Sequence, residues 1–79
     1  VIRTIDDLAR EIAAALVLAD QLESALVETI RAKRRRRGLT QEQMADRLHV
    51  SRSTYAYYET RRRRIPPEVL DKLILLLEG

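Results

Sequence analysis

Arginine is the residue type with the most chemistry to offer in this chain. Thirteen of the fifteen Lys/Arg residues lie in positions 30–79, opposed there by six carboxylates for a net +7. Nine of them form two runs, 33–37 and 61–64. Cationic groups clustered in this way are suited to neutralising phosphates. Residues 1–29 have the opposite balance, two arginines against six carboxylates, a net −4. The basic portion reads as a nucleic-acid footprint and the acidic portion as an appendage. Charge alone leaves a second reading open, in which arginine richness follows codon bias and merely solvates a surface. Other chemistries are poorly supplied. There is no cysteine and a single histidine, His49, so neither a thiolate site nor a histidine cluster can be built. No glycine-rich phosphate loop occurs, and the carboxylates are spaced as helix-surface partners for arginine. No catalytic residue, metal or cofactor is expected, and the chain does not read as an enzyme.

A chain of 79 residues makes one domain. It buries only about 60% of its unfolded surface. Without disulfides, oligomerisation is the expected support. No apolar stretch approaches the length of a membrane span and no signal peptide is recognisable, so a cytoplasmic location is expected. The first residue is Val1 rather than methionine, as in a trimmed fragment. Alanine, leucine, arginine and glutamate dominate, and isoleucine and valine recur at helical spacing, which reads as all-α.

Thr4 suits a helix N-cap, with Asp6 and Asp7 in the first turn. Ile5, Leu8, Ile12, Ala15, Ala19, Leu22, Leu26 and Thr29 then alternate steps of three and four, a heptad seam. Val17 and Leu18 widen the apolar surface beyond it. Two readings stay open. One is a single helix of about 32 residues, near 48 Å long. The other breaks near residues 20–24, where Asp20 and Glu23 make a capping box. The break is preferred, because a compact domain needs only the second segment.

Gly38 reads as a helix-terminating glycine, and Thr40 with Gln43 as the capping box of the next helix. Met44, Ala45 and Leu48 give that helix one apolar side. Ser51 caps a third helix that turns Tyr55 and Tyr58 inward, their hydroxyls reaching the edge of the core. Residues 60–65 form a loop. Pro66 and Pro67 set the last helix, with Val69, Leu70, Leu73, Leu76 and Leu77 inward. Ile74 and Leu75 make it apolar nearly all round, so it needs a partner.

The twenty residues from Gln41 to Thr60 fit a helix-turn-helix. The small residue at the fifth place is Ala45, where the two helices must touch. Apolar residues stand at the fourth, eighth, tenth, fifteenth and eighteenth places as Met44, Leu48, Val50, Tyr55 and Tyr58. Only His49 departs, at a turn position where glycine is common and positive φ is needed; histidine tolerates that region at modest cost. The stretch Gly38-Leu-Thr-Gln, Ala45, Val50-Ser51 and Glu59 resembles the Cro/C1-type (XRE) family, the DNA-binding domains of lambdoid phage repressors. The resemblance covers about residues 26–78.

It implies a lambda-repressor-like domain of four helices, residues 25–79, with an extra N-terminal helix in residues 1–24. It also implies that the third helix enters the major groove N-terminus first, with Arg52, Ser53 and Tyr57 facing bases. Gln41 and Thr54 would contact the DNA backbone, as would Arg61, Arg62, Arg63 and Arg64 in the following loop. Arg34 and Glu59 match a structural ion pair, leaving Lys33, Arg36 and Arg37 as solvated charges. Relatives often pair through elements after the fourth helix. Here the N-terminal segment is the expected pairing element, through Ile5, Leu8, Ile12 and Leu16 together with Ile74 and Leu75. The expected function is a sequence-specific, double-stranded DNA-binding transcriptional regulator, a repressor acting as a homodimer on a near-palindromic operator. It would be bacterial or phage-encoded and nucleoid-associated when bound. The alternative is a protein-interaction module, antitoxin-like or coactivator-like, gripping a partner through the N-terminal helix.

Overall fold

The computed structural model describes residues 4–78, which fold into four α-helices. These are α1 (Ile5–Arg36), α2 (Gln41–Leu48), α3 (Arg52–Glu59) and α4 (Pro67–Leu77). Helix α1 is continuous over 32 residues, so the preferred break near residues 20–24 is absent and the expected boundary after residue 24 falls inside it. Nothing in the local sequence forces a break: residues 5–36 contain no glycine or proline. Asp20 and Glu23 do not cap a new helix; both are turned toward the loop after α3. Thr4 caps the N-terminus by accepting from the Asp7 amide, with Asp6 and Asp7 at the positive end of the dipole.

Only the last third of α1 joins the core. Val27, Ile30 and Arg34 are its buried residues, whereas Ile5 is 86% exposed and Leu16 65%. The radius of gyration is 16.6 Å, against about 12 Å for a compact chain of this length. The N-terminal half of α1 therefore projects from the body as a free arm. It does not fold back on α4, where Ile74 and Leu75 remain exposed.

The core gathers Ile30, Met44, Ala45, Leu48, Tyr55, Tyr58, Val69, Leu73 and Leu77, flanked by Leu39, Val50, Ile65, Leu70 and Leu76. Ala45 is 1% exposed at the start of the α2–α3 corner, where a larger side chain would push the two helices apart. Thr40 and Gln43 complete a reciprocal capping box on α2, and Ser51 caps α3 through the Thr54 amide. Pro67 occupies the first turn of α4.

Three helices end in the same closure. A left-handed residue follows the helix, and the amide after it reaches back to the carbonyl five residues earlier. For α1 this is Gly38 (φ 70°), with Leu39 bonded to the Arg34 carbonyl at 3.1 Å. For α2 it is His49 (φ 58°), with Val50 bonded to Ala45 at 3.0 Å. For α3 it is Arg61 (φ 61°), with Arg62 bonded to Tyr57 at 2.9 Å. Left-handed backbone costs an ordinary L residue about 1–2 kcal/mol. His49→Gly is expected to raise stability by up to about 1 kcal/mol, and Gly38→Ala to lower it by a similar amount. A Cβ at Gly38 would meet nothing within 4 Å, so backbone strain is the whole effect. Urea denaturation monitored by circular dichroism checks both signs.

Candidate nucleic-acid interface

Helix α3 is held from behind by one buried carboxylate. Glu59, 3% exposed, receives Arg34 Nε on Oε2 at 2.6 Å and Arg34 Nη2 on Oε1 at 3.0 Å. Gln41 Nε2 donates to Oε1 at 3.1 Å, and the Tyr55 hydroxyl donates to Oε2. Arg31 donates to the Glu59 backbone carbonyl at 2.6 Å, and Arg34 also donates to the Leu39 carbonyl at 2.8 Å. One side chain thus ties together α1, the start of α2 and the end of α3. Burial alone would raise the Glu59 pKa, but the hydrogen bonds from Arg34, Tyr55 and Gln41 outweigh it and hold the carboxyl below its ordinary range. Burial first, and then the bond to Glu59, push the Tyr55 phenol upward. The Tyr55 hydroxyl accordingly lies inside the core, not at its edge, because a charged acceptor is already buried there.

On the opposite side, the N-terminal turn of α3 presents Arg52 and Ser53 to solvent. An open hollow between the starts of α2 and α3 is lined by Arg34, Thr40, Gln41, Glu42 and Arg52. Gln41 thus reaches both this hollow and Glu59, with one of its two amide hydrogens engaged. Thr54 is half-buried; its backbone amide and its hydroxyl both meet the Ser51 hydroxyl, so this pair serves the helix cap. One turn on, Tyr57 is 39% exposed with the Arg62 guanidinium 5.9 Å from its ring centroid. That contact orients Arg62 along the exposed edge of α3.

The loop arginines divide into two sets. Arg62 and Arg63 are exposed beside α3. Arg61 is turned to α1, where it pairs with Asp20 and lies 3.9 Å from Glu23. Arg64 Nε is 4.0 Å from Glu23. The Arg61 guanidinium is thus engaged by the acidic flank of α1, so a phosphate contact there would have to displace Asp20. Arg37 differs from the solvated charge expected of it. Its guanidinium donates to the carbonyls of Leu76 (2.6 Å), Leu77 (2.9 Å) and Glu78 (2.6 Å), capping the negative end of α4. Sequence reading missed Arg37, Arg31 and the Asp20–Arg61 pair. No local signal singles them out, because their partners lie 28 to 41 residues away in sequence.

Beyond geometry, a helix-turn-helix family profile matches residues 30–78, more than half of the chain. It belongs to the Cro/C1-type helix-turn-helix family. The matched segment opens at Ile30, where α1 enters the core, and runs to the end of α4. Comparison with curated proteins and with solved structures returned no match. Members of this family are DNA-binding regulatory domains. Among the described residues no helix is long and apolar enough to cross a membrane.

Proposed function

We propose that this Cro/C1-type protein is a sequence-specific transcriptional regulator, a repressor that acts as a homodimer on a near-palindromic duplex site in the cytoplasm. The observation that carries the reading is the exposed first turn of α3, with Arg52 and Ser53 outward and the Tyr57–Arg62 pair beside them. Arg52 reads a guanine through O6 and N7, with Ser53 and Tyr57 meeting adjacent base edges. Gln41, Thr54, Arg62 and Arg63 position the duplex by its phosphates, and Arg61 and Arg64 join them where phosphate competes with Asp20 and Glu23. Residues 1–24 carry the dimer contact through Ile5, Leu8, Ile12 and Leu16, with Ile74 and Leu75 on α4.

Selection from a random duplex pool at physiological salt tests this, because non-specific phosphate attraction is then suppressed. An enriched inverted repeat, with half-sites about one helical turn apart, is expected. No enriched site at any salt would refute the reading. A second reading is favoured by the arm of α1, whose apolar residues stand in solvent. The same fold would then grip another protein, as an antitoxin or bridging coactivator does. A stoichiometric partner retained by the full chain and lost on Leu8→Asp would support it.

A further inference from the structure

We infer that the arm of α1 is seated against the α1 of a second copy in antiparallel orientation, its acidic N-terminal half lying over the α1–α4 groove of that copy. The inference deepens the dimeric reading above and rests on it for the existence of a pair. The heptad seam is self-complementary in that direction. Pairing the residues equidistant from Val17 sets Ala15 opposite Ala19, Ile12 opposite Leu22 and Leu8 opposite Leu26. Every seam position meets another seam position, as a two-fold axis across α1 requires. The small alanines let the helices approach at the centre, and Leu16 and Leu18, both more than half exposed, flank the axis.

The helix dipoles and the N-terminal carboxylates favour the same orientation. A parallel pair would set Asp6 and Asp7 beside their own copies and both basic ends together. The antiparallel pair moves Asp6 and Asp7 of one chain away from those of the other and opposes the two helix dipoles. The groove that receives the arm is already apolar, with Leu26 and Thr29 on one wall and Leu70 and Ile74 on the other. The partner's N-terminal turn, with Ile5, reaches that wall. Exposure of Ile74 is thereby explained; Leu75, 72% exposed, lies outside the groove, which narrows the α4 part of the dimer contact to Ile74.

The arrangement also fits the DNA geometry. Each body attaches to α1 around Ile30, so two bodies related through Val17 stand about 39 Å apart along the helix at 1.5 Å per residue. Half-sites one turn apart are separated by about 34–36 Å.

The chain contains no cysteine, which makes cross-linking clean. Full-length Leu8→Cys and Leu26→Cys chains are oxidised separately and mixed, after circular dichroism confirms that both remain helical. A covalent dimer that forms only on mixing, joining position 8 to position 26, is expected. A covalent dimer from each variant alone, with none specific to the mixture, would overturn the antiparallel orientation. Sedimentation of the unsubstituted chain separates the two levels. A dimer with the wrong cross-links removes only the orientation, whereas a monomer removes the pairing as well. Ile12→Asp is expected to give a folded monomer, and an Ile12→Asp dimer would also overturn the seam. None of these readouts involves DNA, so failure of the DNA-binding reading is recognised independently by the site selection.

Discussion

Glu59→Ala is expected to lower the free energy of unfolding by about 3–5 kcal/mol, the cost of leaving a buried charge without its partner. The Arg34 side chain is 8% exposed and keeps only the Leu39 carbonyl once the carboxylate is gone. The Tyr55 hydroxyl, in a fully buried residue, loses its acceptor at the same time. Natural domains hold about 0.05–0.15 kcal/mol per residue, so a chain of this size has little left after such a loss. Urea denaturation of the variant should show a broad shift to the unfolded state. A change under about 1 kcal/mol would mean that the pair is solvated, as surface ion pairs are. Replacing both partners, Arg34→Met with Glu59→Leu, is expected to recover much of the loss, because no charge is then stranded. The same carboxylate sets the acid limit. Its folded pKa lies below its unfolded value, which is about 4.3 for glutamate. The stabilisation is therefore complete above that value and is lost as pH falls through the lower folded pKa. Stability measured from pH 7 down to 3 should fall in this window for the natural chain and much less steeply for Glu59→Gln.

Arg52→Ala is expected to weaken binding to the selected operator by about 1–3 kcal/mol per half-site, roughly 5- to 150-fold. Its affinity for random duplex at low salt should fall far less. Arg52 stands exposed in the first turn of α3 and makes no hydrogen bond to Glu59, although it shares a hollow with Arg34 and Gln41, so the variant should fold normally. Arg63→Ala gives the contrasting result. Loss of one phosphate contact weakens all sequences nearly equally and reduces the slope of log affinity against log salt by about 1. Titrations of operator and random duplex at several salt concentrations distinguish the two. Equal losses on both duplexes for Arg52→Ala would move base reading elsewhere on α3.

The helix-turn-helix was legible because its determinants are local. Thr40 with Gln43, and Ser51 with Thr54, sit three residues apart, and the amides they bond are fixed by helix geometry. The inward set of α2, α3 and α4 follows from helical spacing, which puts Met44, Leu48, Tyr55 and Leu73 on core faces. Arg34 and Glu59 could be matched only through the family resemblance, since they are 25 residues apart. The break in α1 was misjudged because a capping box and a helix interior use the same residue types. Asp20 and Glu23 were free to serve α1 as it stands once Arg61 and Arg64 came within reach.

What the sequence by itself determined, then, is the short-range part: where helices begin, which faces are apolar, and that positive charge gathers after residue 30. The tertiary structure decided what each arginine does. Arg34 is buried against Glu59, Arg37 caps α4 across 39 to 41 residues, Arg61 turns to Asp20, and Arg62 lies over Tyr57. In sequence these four are interchangeable, because a guanidinium on a long flexible stem has the same local preferences everywhere. Their roles separate only when packing brings particular carboxylates, carbonyls and rings within reach. The Cro/C1-type fold assigns them by distance, and leaves Arg52 and Arg63 facing solvent on the surface where a duplex would lie.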